Sequence, residues 1–323
     1  MAVTPRRWLP IPVAGVLLIL VSACAGGSPS PRHTRTGSPG PVALSPGSAP
    51  ATGPASAPAG TCHPGVNGAE SWIMGGSELG SLQAAAPAAV RRAVNTADLL
   101  VPGGARDSSR VGQTVADFKS YVGLEQAITR RMIPSTTHWV MYDNESWPQT
   151  PANEQRDPQR YETLFARLAH KHSLKVILAP AQDLVPGFSR TVFRSGHALW
   201  QHYVDLHFAA FSARVADIYE IQAQPYEFGP YRQSGTYLQF VRAAVAQAKA
   251  ANPRVQVFAG LSTARVSTAA QLTQDFHAAA GLVSGFWLNI PHHFKANAPA
   301  MAGQFLDSLP TGIGAKARAC AQA

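Results

Sequence analysis

From residue 137 onward, short apolar runs alternate with segments whose apolar residues recur at helical spacing. The runs are five or six residues long and rich in β-branched and aromatic residues, a composition typical of strands. They span residues 138–142, 174–179, 217–221, 255–259 and 285–290. This alternation predicts strands that are separated by helices.

The intervening segments carry helix signals. Asp157 and Pro158 supply an N-cap and a first helical residue, and the apolar positions of residues 161–169 then follow a period of about 3.6 residues. Residues 237–248 show the same spacing, and Thr268 begins a capping-box pattern. We therefore predict amphipathic helices that cover one face of a sheet.

The pattern is weaker before residue 137. Residues 71–76 and 97–101 are plausible strands, and helices are predicted around residues 82–94 and 115–131. The total is about seven strands, or eight if one is hidden in this half of the chain.

Strands that alternate with helices at this length indicate right-handed crossovers and a parallel sheet. The predicted fold is an α/β (β/α)₈ TIM-type barrel of seven or eight parallel strands, preceded by a disordered N-terminal tether. An open doubly wound sheet is the alternative, but no G-x-G-x-x-G follows a predicted strand.

The N-terminus predicts export. Arg6 and Arg7 precede an apolar run, residues 13–23, that is shorter than the roughly 20 residues a membrane-spanning helix needs. Residues 21–24 resemble a bacterial lipobox, which implies a signal peptide at 1–23 and a lipid on Cys24. The expected location is the outer face of the cell membrane, with simple secretion and an uncleaved helix as alternatives.

Composition divides the remaining chain. Residues 24–60 consist mainly of Ser, Pro, Gly, Ala and Thr, and so predict a disordered tether. Residues 61–323 form the barrel domain. Cys62 and Cys320 lie near its two ends, and a pair of cysteines in an exported protein predicts a disulfide.

Charge and motifs exclude several functions. The chain has 27 basic and 18 acidic side chains but no run of Lys and Arg that would track phosphates, so we expect no nucleic-acid partner. No motif for a cofactor, metal or phosphate loop is present, and we predict none of these. His197, His202 and His207 are five residues apart and do not share one helical face.

Two carboxylates follow the strand predicted at 138–142. Asp143 and Glu145 are two residues apart, so in extended chain they share a face with Trp139 and Met141. Neighbouring carboxylates raise one another's pKa, which suits an acid/base pair. The alternatives are a helix cap or a surface cation site.

A second polar row follows the strand at 217–221. Glu220, Gln222 and Gln224 project to one side, which is costly in a dry core and predicts a wet pocket. The solvent face of an edge strand is the alternative. Neighbouring amides and aromatic rings near strand ends complete the candidate substrate-binding set: Asn144, Trp147, Gln182, Gln222, Gln224, Tyr226, Trp287 and Asn289.

These residues resemble two groups of proteins. Asp143 and Glu145 at a strand end resemble the Asp-x-Glu of chitinase-type (β/α)₈-barrel glycoside hydrolases. Residues 142–148, 259–263 and 286–291 look like an uncharacterised group of exported actinobacterial lipoproteins.

The first resemblance implies a glycoside hydrolase that acts on a carbohydrate or cell-wall polymer. Glu145 would be the general acid, Asp143 the neighbour that sets its pKa, and Glu220 the nucleophile or base. The alternatives are a non-catalytic lipoprotein that binds a glycan or the cell wall, and a barrel hydrolase for a non-sugar substrate.

Overall fold

The computed structural model describes residues 71–94, 99–103, 112–188, 192–291 and 295–309. The predicted signal peptide, tether, lipidation site Cys24 and cysteine pair Cys62 and Cys320 lie outside the described residues. Within these ranges, no helix combines the length and apolar character needed to cross a bilayer.

Eight parallel strands close into a barrel in chain order, each paired with the next and the last with the first. The strands are β1 Ser71–Ile73, β2 Leu99–Gly103, β3 Gln113–Phe118, β4 Trp139–Tyr142, β5 Lys175–Leu178, β6 Ile218–Ile221, β7 Gln256–Ser262 and β8 Gly285–Asn289. The predicted (β/α)₈ barrel is confirmed.

In the described chain, helices follow every strand except β2, and they surround the barrel. They are α1 Gly76–Ala85, α2 Pro87–Ala93, α3 Tyr121–Thr129, α4 Ala152–Arg156, α5 Pro158–Lys171, α6 Leu199–Asp205, α7 Phe208–Ala213, α8 Gly229–Gln233, α9 Thr236–Ala251, α10 Ala269–Ala280 and α11 Ala298–Ser308. Short 3₁₀ turns, Gln182–Gly187 and Gln224–Tyr226, follow β5 and β6.

Two apolar clusters hold this architecture together. Side chains that alternate along a strand face opposite sides of the sheet. The inward set fills the barrel with Ile73, Leu100, Val115, Trp139, Met141, Ile177, Ile218 and Phe258. The outward set packs against the helices; Tyr142, for example, stacks on Phe165 of α5 at 4.8 Å between ring centroids.

The hidden eighth strand is β3, in a segment that the sequence assigned to a helix at 115–131. That assignment is wrong for residues 115–118, because they belong to β3, which pairs with β2 and β4. The helix begins only at Tyr121, because the Ser120 side chain accepts a hydrogen bond from the Gly123 amide at 3.0 Å and caps it.

The helix predicted at 82–94 is two helices. Pro87 has no amide hydrogen to continue α1, so α1 ends at Ala85 and Pro87 begins α2.

Candidate active site at the carboxyl ends of the strands

The inner face of the barrel changes from apolar to polar toward the carboxyl ends of the strands. On β4, Met141 lies in the inner apolar cluster and Asp143 follows it two residues later. On β6, Ile218 is followed at the same spacing by Glu220 and Gln222. Barrel enzymes build their sites at this end.

A cavity of about 640 Å³ lies at this end. Its lining contains Asp143, Glu145, Trp147, Gln182, Asp183, Gln222, Gln224, Tyr226, Trp287 and Asn289, with Leu199, Ser262 and Arg265 among the others. The structure thus brings together all the predicted catalytic and substrate-binding residues except Asn144 and Glu220. Another cavity, of about 410 Å³, lies between the segments before β4 and β5, and no carboxyl group lines it.

Lys119 bridges two carboxylates beside this cavity. Its Nζ donates to Asp117 Oδ2 at 2.8 Å and to Asp143 Oδ2 at 2.5 Å. Burial opposes the charge, but the attraction of Asp143 and Asp117 outweighs it and raises the pKa of Lys119. Lys119 is therefore a cation at neutral pH.

The surroundings of Glu145 favour the protonated form of its carboxyl group. Burial raises its pKa to about 8, and the charges of Asp143 and Asp183 act in the same direction. A hydrogen bond from Gln222 and the charge of Lys119 oppose the rise.

Asp143 is fixed by two donors. Besides Lys119, the Gln222 side chain donates to Asp143 Oδ1 at 2.9 Å, and the same amide also donates to the Ala179 carbonyl at 2.8 Å. Burial nevertheless raises the pKa of Asp143. Asp117 is similar: burial raises its pKa to about 6, although Lys119 opposes the change.

Glu220 lies deeper than predicted. It is fully buried, does not line the cavity, and neither carboxyl oxygen has a hydrogen-bond partner among the described residues. Burial raises its pKa well above the usual value, and the charges of Asp143 and Glu145 add to this. A carboxyl placed there is not exposed to a ligand in the cavity.

Asn144 faces away from the cavity, contrary to the prediction that it binds substrate. It follows Asp143 on the alternate face, and its side chain donates to Glu162 Oε1 of α5 at 3.3 Å. Glu162 also contacts the Ser212 hydroxyl at 2.6 Å, and burial raises the pKa of Glu162 to about 8. Asn144 thus belongs to a buried network between barrel and helices.

The loop after β4 is held by hydrogen bonds that position the cavity lining. The Thr150 hydroxyl donates to the Lys119 carbonyl at 2.7 Å and accepts from the Trp147 indole at 3.0 Å. The Ser146 amide donates to Asp183 Oδ1 at 2.9 Å, which fixes that carboxylate after β5.

The opposite side of the cavity depends on a glycine. Gly260 on β7 has no side chain where the Gln224 amide lies; a Cβ there would come within 2.2 Å of Gln224 Nε2. Tyr226 OH donates to Gln182 Oε1, and Gln182 Nε2 donates to the Gln222 carbonyl at 3.0 Å. These bonds connect the ends of β5 and β6.

Sequence reasoning missed Asp117 and Lys119. Both lie on or directly after β3, which was assigned to a helix, so their position at a strand end was not recognised. The available signal was the two-residue spacing of Val115, Asp117 and Lys119, which places an apolar, an acidic and a basic side chain on one face.

One group in the described chain could hold a metal ion. His197, His202 and Asp205 each offer a ligand atom within 4.8 Å of the others, and none of them lines the cavity. His197 precedes α6 and folds back toward it from the loop. The five-residue spacing of the histidines did not predict this arrangement, because it was considered for a single helix.

No family model and no curated protein matches the chain. Several solved structures match it. An archaeal fructose-1,6-bisphosphate aldolase is 12% identical over 74% of this chain and 93% of that chain, with a TM-score of 0.42. The YdjI aldolase from Escherichia coli K12 is 13% identical over 79% of this chain and 88% of that chain, with a TM-score of 0.39. A sugar phosphate isomerase/epimerase from Parabacteroides distasonis is 7% identical over 78% of this chain and 99% of that chain, with a TM-score of 0.40.

The three proteins are named as aldolases and as a sugar phosphate isomerase/epimerase, not as glycoside hydrolases. The prediction of a glycoside hydrolase, with its alternative of a glycan-binding protein, is therefore wrong.

Proposed function

We propose that the cavity is the active site of an enzyme that transfers protons by general acid–base catalysis on a small polar substrate. The observation that carries this proposal is the position of Glu145 on the cavity wall between two other carboxyl groups, Asp143 and Asp183. A carboxylic acid that keeps its proton near neutral pH, with a second carboxyl group beside it, is an arrangement that suits such catalysis.

Each acidic group has a distinct role in this proposal. Glu145 donates the proton, because its pKa of about 8 keeps it protonated at pH 7. Asp183, held by the Ser146 amide, accepts a proton from substrate or water. Asp143, which is paired with Lys119 and Gln222, increases the affinity of Glu145 for its proton.

Lys119 is a poor candidate for a covalent nucleophile. An amine must be unprotonated to attack a carbonyl carbon, but the two carboxylates beside Lys119 stabilise its charged form. Its proposed role is to hold Asp117 and Asp143 together.

The charge of the cavity indicates its substrate. Among the described residues that line it, Asp143, Glu145 and Asp183 are acidic and Arg265 is the only cation. The rings of Trp147, Tyr226 and Trp287 add flat apolar surface. An uncharged or cationic organic molecule fits this lining better than an anion does.

Two measurements test the proposal. Carbon-13 NMR of the side-chain carboxyls, assigned with the Glu145→Gln variant, should give a titration midpoint for Glu145 near 8. Incubation with a library of small polar compounds in D₂O and H₂¹⁸O should produce isotope incorporation, detected by mass spectrometry. This readout responds to proton exchange or hydration of any compound in the library.

We expect Glu145→Gln and Asp183→Asn to reduce isotope incorporation at least about 100-fold, the usual weight of a general acid or base. Glu125→Gln is the matched control, because Glu125 is an exposed carboxylate on α3. A midpoint for Glu145 near that of free glutamate, or equal incorporation in wild type and Glu145→Gln, contradicts the proposal.

We also propose that the protein is exported and anchored to the outer face of the membrane by a lipid on Cys24, on the strength of residues 21–24 alone. Labelling of cells with a palmitate analogue should mark the wild-type chain in the membrane fraction. Cys24→Ala should abolish the label. An unlabelled wild-type chain in the soluble fraction contradicts this proposal.

A further inference from the structure

We propose that His197, His202 and Asp205 form a zinc site that fixes the loop before α6. The site is separate from the proposed active site and does not depend on it. Its three ligand atoms lie within 4.8 Å of one another. Imidazole nitrogen and carboxylate oxygen are ligands that Zn²⁺ takes in proteins, commonly with a water in the fourth position.

The helix supplies two of the ligands. His202 and Asp205 are three residues apart on α6, so they project from the same face, one turn apart. His202 is only 3% exposed, and its ring meets Phe193 edge-on at 4.9 Å between centroids. Burial of the His202 ring keeps water away from that ligand, which strengthens the attraction between a cation and the ring nitrogen.

The preceding loop supplies the third ligand. Gly196 has a φ of +81°, which favours glycine, and the turn from Arg194 to His197 is closed by a backbone hydrogen bond of 3.2 Å. This turn directs His197 back over α6, where its Nδ1 lies 3.0 Å from Asp205 Oδ2 and its ring is 5.5 Å from that of His202.

The ligand atoms need only a small movement to bind zinc. Ligands around a tetrahedral zinc lie roughly 3.3 Å apart, for bond lengths of about 2.0–2.2 Å. The His197–Asp205 pair is already at 3.0 Å, and the remaining separations do not exceed 4.8 Å. Zinc would take the place of the hydrogen bond between His197 and Asp205.

One neighbouring cation competes for the site. Arg194 Nη1 lies 3.5 Å from Asp205 Oδ2, but its side chain is 64% exposed and can return to water at little cost. Zinc would then link the loop to α6 through its ligands. The first residue of that helix, Leu199, lines the cavity, so the bound metal would also fix part of the cavity rim.

The test uses the full chain without a polyhistidine tag, because a tag would itself bind zinc. Isothermal titration with ZnCl₂ should give one site per chain, and MgCl₂ should give none at that position. We expect His197→Gln and Asp205→Asn each to weaken binding at least about tenfold, since even partners outside the ligand set cost 10–100-fold. His277→Gln is the control, because His277 is an exposed histidine on α10.

A second readout guards against effects on folding. Hydrogen exchange of residues 192–205 should slow when zinc is added to the wild type and to His277→Gln, and should be unchanged in the double variant His197→Gln/Asp205→Asn. Equal zinc affinity of the double variant and the wild type overturns the proposal. So does the absence of zinc binding by the wild type, in which case the cluster is only a set of hydrogen bonds.

Discussion

The ammonium group of Lys119 influences several carboxyl side chains at and beside the cavity. Lys119 lowers the pKa of Asp117, of Asp143 and of Glu145, while burial raises all three. A residue that directly follows a different strand therefore contributes to the acid strength of Glu145. A change on β3 should alter the chemistry available after β4.

Replacement of Lys119 by Met should raise the pKa of Glu145 above about 8 and that of Asp117 above about 6, because the charge that opposes both shifts is removed. Carbon-13 NMR titration of the carboxyls measures both values. Lys171→Met, at an exposed site at the end of α5, should leave them unchanged. A lower Glu145 value in Lys119→Met would show that Lys119 is not an electrostatic partner.

At the scale of elements, the sequence predicted the second half of the barrel well. The strands from β4 to β8 are short apolar runs between helices, and two of these helices, α5 and α10, begin at a side-chain cap. Periodicity and caps therefore point to the same answer. β3 was missed because Val115, Ala116 and Phe118 lie close to the apolar positions of α3, and the two segments together imitate one longer helix. Only the pairing with β2 and β4 shows that residues 113–118 form a strand.

The site was predictable where polar residues directly follow an obvious strand. Asp143, Glu145 and Gln222 satisfy that condition, and they meet at the cavity. Depth was not predictable: Glu220 and Gln222 share a face of β6, yet Gln222 lines the cavity and Glu220 is buried below it. Sequence spacing gives the face of a strand but not the distance of a side chain from the mouth of the barrel.

The junction between β8 and β1 depends on a missing side chain. A Cβ on Gly285 would come within 2.3 Å of the Ser71 carbonyl oxygen and within 2.6 Å of the Phe258 ring. Gly285→Ala should therefore lower the free energy of unfolding by about 1–3 kcal/mol or more, as overpacking does. Urea denaturation followed by circular dichroism gives the value.

Gly281→Ala is the matched control, because it caps α10 at a φ of −76° and a Cβ there meets nothing within 4 Å. Its free energy of unfolding should stay within about 0.5 kcal/mol of the wild type, as is usual for surface changes. Equal stability of the two variants would show that the β8–β1 junction can move apart.

The whole molecule buries acids that it does not fully pair. In the described chain, burial raises the pKa of eight carboxyl groups and is the largest cause of each rise. They are Asp117, Asp143, Glu145, Glu162, Asp183, Glu220, Glu227 and Asp275. The folded protein therefore holds protons that the unfolded chain releases. This imbalance gives stability a definite dependence on pH.

The free energy of unfolding should fall as the pH rises from about 5 to 8. Over this range the folded state binds more protons than the unfolded state, so the slope of unfolding free energy against pH is negative. Glu162→Gln should reduce the slope, because the pKa of Glu162 is about 8 when folded and a glutamine can keep the contacts with Asn144 and Ser212.

Urea titrations at pH 5, 6, 7 and 8 measure the slope for both proteins. Glu125→Gln again serves as the exposed control and should follow the wild type. A stability that rises over this range, or an unchanged slope in Glu162→Gln, would mean that these carboxyls are ionised in the folded protein.

The three-residue strand β1 gives the barrel a mechanical weak point. Its register with β2 covers only two residue pairs and that with β8 three, while Trp72 packs among Phe276, Phe286 and Phe305. A force applied at Ser71 would load few hydrogen bonds at once and would have to extract the Trp72 indole. Under tension from its N-terminal side, the barrel should rupture first at this strand, and the force at rupture should depend on the size of residue 72.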